Sequence, residues 1–200
     1  MSGYQALVSA RFRALLQYRS AAIAGLTTQI LFGLTFVMVF EAFFRSSTAF
    51  QPMTLPEVTT YIWLGQAFFV LFPWNVDADL RAMVRSGGVS YELLRTLDLY
   101  FAWFTRAIAM RTAPTLLRSI PLLTLAALFL GMQVPESPAD GIAFVITMFG
   151  VLLLSCAITN ILTISLMWTI SGDGITGFAP AVIMTLSGMI VPIPFFPEWL

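Results

Sequence analysis

The chain has no lysine and no histidine, and it has a single cysteine. Without lysine it cannot form the phosphate-cradling Gly-rich loop of nucleotide-hydrolysing domains, which needs a lysine against the phosphates. Without histidine, the commonest metal ligand and the commonest general base near neutral pH are both missing. Cys156 stands alone in an apolar run, which excludes a disulfide framework within the chain. Charge is scarce too, at 10% of residues, against roughly 25% in soluble domains. What fills the chain is apolar: 58% of residues are hydrophobic, and the mean hydropathy is +0.88. A soluble domain of this size still exposes about 30% of its unfolded surface. Two hundred residues of this composition cannot be hidden from water, so the sequence points to a bilayer.

All ten basic residues are arginines, and nine fall in two places. Arg11, Arg13 and Arg19 mark the N-terminal segment, and Arg81, Arg85, Arg95, Arg106, Arg111 and Arg118 mark a central stretch. Arg45 lies apart from both groups. Arginine-rich connections stay cytoplasmic, and apolar stretches of about 20 residues cross roughly 30 Å of hydrocarbon. The expected fold is therefore an all-α polytopic membrane helix bundle, a single domain over residues 1–200 with its N-terminus cytoplasmic. Tyr4, Leu7, Val8, Phe12, Leu15 and Leu16 recur at helical spacing, which predicts an amphipathic interfacial helix over 4–19. Five spans follow, at about 21–44, 58–76, the apolar part of 106–130, 141–168 and 175–190.

Between the second and third spans lies an expected cytoplasmic segment, 77–106. Gly87-Gly88 breaks it, and helix resumes over 90–97 with Ser90 as N-cap and Glu92 near its start. Arg106 and Arg111 are expected on a helix entering the membrane obliquely, and Arg118 is expected to snorkel to the inner interface. Residues 46–57 and 131–140 read as external loops, and Ser171-Gly-Asp-Gly174 as a tight inner turn. Pro192, Pro194 and Pro197 forbid a regular helix in the last residues, which read as an external interfacial segment with aromatic anchors. Five spans leave the C-terminus outside, and a sixth span is expected to be missing by truncation.

Enzymatic chemistry finds little to use here. Gly172-Asp-Gly-Ile-Thr-Gly177 lacks lysine and follows an apolar span, so it reads as a turn. Ser155, Ser165 and Ser187 have no histidine or lysine base, and the acids cluster at span ends. Ion-coupled transport leaves ionisable groups at mid-membrane, and none sits centrally in spans one, two, four or five. Neutral polar residues do, among them Thr27, Thr28, Gln29, Asn160 and Thr163. They are candidates for a substrate path or a subunit interface, and equally for ordinary helix–helix hydrogen bonds worth about 1 kcal/mol each. A transporter with no coupling charge and no ATPase of its own needs force delivered from outside the bilayer, and a short helix held between two spans could receive it.

The stretch Arg81-Ala-Met-Val-Arg-Ser-Gly-Gly-Val-Ser-Tyr-Glu-Leu-Leu-Arg95 resembles the coupling helix of type-2, exporter-like (ABC-2) ABC transporter permeases. The tail from Ser187-Gly-Met-Ile-Val-Pro192 to Pro197-Glu-Trp-Leu200 resembles the segment that precedes the sixth span in that family. Thr96 stands where the family has proline. Within the class, the chain is similar to uncharacterised permeases that work beside a second permease and one ATPase. The resemblance implies a transmembrane permease subunit of an ATP-driven exporter in the cell membrane, with no catalytic site of its own. It implies ATPase coupling through Arg81, Arg85, Gly87, Gly88, Tyr91, Glu92, Leu94 and Arg95. It implies cytoplasmic ABC ATPase subunits and a second permease, in a homo- or heterodimer, as partners. ATP and magnesium would sit on the ATPase, with no cofactor on this chain, and the remaining surface would meet membrane lipid rather than nucleic acid. A non-transporting membrane scaffold and an intramembrane lipid-modifying enzyme are the alternatives.

Overall fold

A computed structural model of the chain describes residues 3–47, 50–169 and 173–199. Among them are eight α-helices and two short 3-10 turns: α1 (Gly3–Leu16), α2 (Arg19–Ser46), α3 (Leu55–Ala67), α4 (Ala78–Ser86), α5 (Val89–Leu93), α6 (Leu99–Phe129), α7 (Pro138–Thr169) and α8 (Asp173–Leu186). The all-α expectation holds. Three helices, α2, α6 and α7, are long and apolar enough to cross a membrane. At 1.5 Å per residue they run about 42, 46 and 48 Å.

Among the described residues these three alone reach that length, and the five expected spans are not shown. The expected second span, 58–76, is a helix of only 13 residues, followed by a 3-10 turn at Phe69–Leu71 and non-helical backbone up to α4. Pro73 accounts for part of this, because a proline drives the residue before it out of the helical region, and Phe72 adopts φ −59°, ψ 142°. The expected fifth span is the 14-residue α8. It stops before Gly188, whose φ of +83° turns the chain away. The expected turn at Ser171–Gly174 lies partly outside the described residues, and Asp173 and Gly174 already belong to α8.

Local sequence sets most helix starts. Glu57 accepts from both the backbone N–H (2.7 Å) and the hydroxyl (2.9 Å) of Thr54, fixing the first turn of α3. The Asp77 carboxylate takes the N–H of Asp79, and the Asp98 carboxylate takes that of Phe101, which caps α4 and α6. Ser137 and Asp140 bond reciprocally at the start of α7. The short α5 departs from expectation. It is preceded by Gly88 and begins at Val89, and Ser90 sits inside it, its hydroxyl donating to the Gly87 carbonyl.

The helix α6 is the centre of the bundle and packs against α1, α2, α3 and α7. Alanines at 102, 107, 109, 113 and 126 are buried along it, and small residues let apolar helices approach closely. Trp63, Ala67, Leu122 and Ala126 form a fully buried cluster, with Leu26, Ile30 and Val37 of α2 packed against it. A second cluster joins Val76 to Leu162 and Leu166, and a third joins Leu80 and Val89 to Trp103. These two seat α4 and α5 on α6 and α7. The tail folds back as a 3-10 turn at Ile193–Phe195, and Phe195 meets Phe40 and Phe43 edge-on.

Candidate functional site

The segment 77–98 forms a small polar platform at one end of the bundle. Asp77 is at its root. Its carboxylate accepts from Arg11 of α1 at 3.1 Å and from Arg106 of α6 at 3.2 Å. Asp79 bonds Arg11 at 2.5 Å and lies 3.6 Å from Arg106. The bond to Asp79 is the largest influence raising the Arg11 guanidinium above its ordinary value. The same bond holds the Asp79 carboxyl below its usual range. Tyr4 adds a further tie, its hydroxyl oxygen accepting the N–H of Asp98 at 3.0 Å. The N-terminal helix is thus clamped to the platform through side chains on α1, α4 and α6. Residues 3–16 form a helix separate from α2, with Gln17 and Tyr18 between them, where a helix over 4–19 was expected.

From this root the residues predicted for coupling project as one unit. Arg81 of α4 donates to Thr176 of α8 at 3.1 Å. Arg81 and Arg85 line an open groove of about 700 Å³ with Asn75 and Ser86. Gly87 terminates α4 at φ +76°, in the left-handed region that glycine adopts without a Cβ penalty. Gly88 leads into α5. On α5, Val89 and Glu92 turn inward, and Glu92 pairs with Arg95 at 3.1 Å. Tyr91 and Leu94 point the other way, at 75% and 81% exposed, and Leu93 beside them is also exposed. The result is an apolar knob on a charged mount. Exposed apolar side chains clustered at an otherwise polar tip mark an interaction surface.

The second predicted set is not gathered into one site. Thr27 and Thr28 lie exposed on α2 and donate to the carbonyls of Ile23 and Ala24 on their own helix. Gln29 is buried, and neither its amide nitrogen nor its amide oxygen has a partner. Asn160 and Thr163 are buried on α7. Asn160 donates to the Tyr100 carbonyl at 3.2 Å, and Thr163 to the Thr159 carbonyl at 2.8 Å. These two bond helices together.

Sequence reasoning missed Arg111. It was expected only as one of two arginines on a helix entering the membrane obliquely, and it is 3% exposed in the middle of α6. Its guanidinium donates to the carbonyls of Val70 and Asn75, each at 3.1 Å, and to the Thr159 hydroxyl at 3.2 Å. Ser155 bonds the neighbouring Leu71 carbonyl. The backbone that α3 leaves unpaired on ending early is therefore taken up by α6 and α7, as a low-dielectric interior requires. The one signal in the sequence was an arginine followed by six apolar or hydroxylic residues before the next charge. Arg118 is half-buried and lies toward the first turn of α2. It reaches the Ala21 carbonyl at 3.4 Å and occupies the space that a side chain at Gly25 would fill.

Outside these contacts α2 and α7 expose long apolar rows, including Leu31, Met38 and Val39 on one, and Ile142, Val145 and Phe149 on the other. Water does not tolerate such faces on a monomer, and lipid does. No curated protein and no solved structure matches the chain. A family model described as ABC-2 family transporter protein matches residues 30–200, a stretch that takes in the greater part of α2, all of α6 and α7, the platform and the tail. The chain belongs to the ABC-2 family of transporters and is a membrane component of one.

Proposed function

We propose that this chain is the permease subunit of an ATP-driven exporter, and that a separate cytoplasmic ATPase docks on the segment from Arg81 to Arg95. The observation that carries this reading is the exposed apolar tip, Tyr91, Leu93 and Leu94, on a base tied into three helices. A docking knob on a loose loop would absorb force. This one is fixed through Arg106 to α6 and through Arg81 to α8, so a push on the tip moves both. The platform is cytoplasmic in this reading, with α3 and α8 as two further short spans, in a multi-pass cell-membrane protein. A second permease, identical or homologous, completes the translocation path. The chain carries no catalytic site of its own, and ATP with magnesium binds on the ATPase.

The test is co-purification with the cognate ATPase, together with ATP-driven efflux from vesicles. Tyr91→Ala with Leu94→Asp removes the apolar tip from a surface that makes no core contact. ATPase retention and efflux are expected to fall together while insertion and melting stay at the wild-type level. Unchanged efflux at equal expression would reject the docking assignment. Absence of ATP-dependent transport in the wild-type complex would favour the scaffold alternative.

A further inference from the structure

The early end of α3 leaves a space beside α7. Phe68 and Phe144 meet edge-on with ring centroids 5.6 Å apart, and the Ser155 hydroxyl donates to the Leu71 carbonyl. These four residues line a partly open slot of about 430 Å³, which residues at the end of α8 and just beyond it also border. Helix α7 contributes Phe144, Met148, Val151, Leu154 and Ile158, a stripe at steps of three and four. That stripe is about 21 Å long, against roughly 15 Å for the hydrocarbon of one leaflet. None of the described residues lining the slot is charged. Its hydroxyls are already used, Tyr61 donating to the Gly188 carbonyl and Ser187 to that of Met184, beside the bond from Ser155. An occupant needs no polar group, and a polar group inside the slot would lose its hydration without a new partner. An empty slot would forfeit the dispersion contacts of its lining. Size narrows the choice further. The volume equals roughly fourteen groups of the size of a liquid water molecule, and a methylene is of similar size. A helix laid along the stripe would need about four turns, roughly 1,600 Å³ at 10 Å across, and does not fit inside.

We propose that this slot is a lipid site, in which one acyl chain of a bilayer lipid lies along α7 with its headgroup outside, at the membrane surface. The surroundings of the slot supply that occupant. Leu154 on its rim and Ile161 two turns further on are each 62% exposed. The slot therefore opens onto an apolar face of α7 that lipid already covers. Met148 suits a chain of variable shape, because its flexible thioether adapts to irregular apolar surfaces. The site stands independently of the transporter reading.

The test uses the full chain in lipid nanodiscs doped with phosphatidylcholine that carries a diazirine midway along one acyl chain. Adducts are mapped by peptide mass spectrometry. They are expected on the slot wall at 64–72, including the buried Leu71, and on the exposed row Ile142–Ile146, which serves as the reference for ordinary lipid contact. Two variants fill the slot from opposite walls. A Cβ on Gly65 meets no atom within 4 Å, so Gly65→Leu extends into open space, and Met148→Trp enlarges the α7 side. Each should lower wall labelling about fivefold relative to the reference row. Gly150→Leu is the control, since its Cβ also meets nothing within 4 Å but the residue does not line the slot. It should leave the pattern unchanged. Both leucine variants should melt at or above the wild type, because leucine is the better helix former. The matching phosphatidylglycerol probe should label the wall to the same extent. Wall labelling no greater than that of the buried Ala109–Ala113 stretch would show the slot closed to lipid and overturn the proposal. Labelling indifferent to both fillers, or a strong preference for the anionic headgroup, would also overturn it. An unlabelled wall in the wild type, with fillers that turn dimers into monomers in native mass spectrometry, would give the slot to a second copy of the chain.

Discussion

At the scale of single residues, the bundle depends on a few close approaches and one buried cation. A Cβ placed on Gly33 would lie 2.4 Å from a ring carbon of Trp63, which is fully buried and cannot swing aside. Gly33→Ala should therefore lower the thermal midpoint of the purified chain by an amount corresponding to about 1–3 kcal/mol. Gly25→Ala is the control. Its Cβ meets the far end of the Arg118 side chain, which can move, so the expected loss is small. Arg111→Leu should do more than either, because it strands the carbonyls of Val70 and Asn75. Losing one bond to a charged donor costs about 1.5–3 kcal/mol. Hydrogen exchange of residues 70–77 should quicken selectively. Arg111→Lys should fail to restore protection, since a compact ammonium lacks the planar fork that spans three acceptors. Protection unchanged in Arg111→Leu would remove this residue from the account of the segment.

At the scale of elements, the clamp on α1 has one inner and one outer half. Arg106 and Asp77 are largely enclosed, with side chains 14% and 11% exposed, whereas Asp79 is open to solvent at 64%. Exposed pairs contribute about 0–1 kcal/mol, so Arg106→Gln should loosen the platform more than Arg11→Gln, as read from spin-label distances between Ala10→Cys and Thr96→Cys. Acid acts through Asp79. Its carboxyl is held below the ordinary value of 3.8, mainly by Arg11, so its contribution is complete above that value and is lost as pH falls through the depressed one. The α1 distance should stay fixed from neutral pH down to the carboxylate range and lengthen only beneath it. Lengthening already at mildly acidic pH would assign the clamp to another group. Much of this scale was legible in the sequence. Gly87-Gly88 gave the break, and the long apolar runs gave α2 and α7 to within three residues at each end and the C-terminal end of α6, whose start lies seven residues before the expected 106. The ion pairs were not legible. Positive-inside reasoning reads arginines as a topological signal and says nothing about which carboxylate each one meets. Ser90 was misplaced because glycine can also precede a helix: Gly88 takes the N-cap position, and the serine comes two residues too late.

At the scale of the whole molecule, orientation is the open quantity. With the platform cytoplasmic, Ser47→Cys and Ala139→Cys should react with an impermeant thiol reagent in intact cells, and Ser86→Cys should not. The native Cys156 is fully buried and gives no background. Reaction at Ser86→Cys would invert the arrangement. The number of membrane-length helices could not be read from hydropathy alone. Residues 58–76 carry no charged residue, and what ends α3 early is a proline together with a distant arginine that accommodates the unpaired backbone. The state of the polar residues inside the apolar helices was legible only in part. Five polar residues stood out in the sequence, but chemistry alone did not separate the satisfied threonines from the unsatisfied Gln29.

The brevity of α3 has a bearing on the lipid around it. Thirteen residues cover about 20 Å, some 10 Å short of a typical hydrocarbon core. A short hydrophobic segment is accommodated by local thinning of the bilayer, at a modest cost for each ångström of mismatch. Short-acyl-chain lipids should therefore raise the melting temperature of the chain, and long-chain lipids should lower it. With α3 and α8 as the two short spans proposed above, the thickness of the host membrane becomes a regulator of the protein.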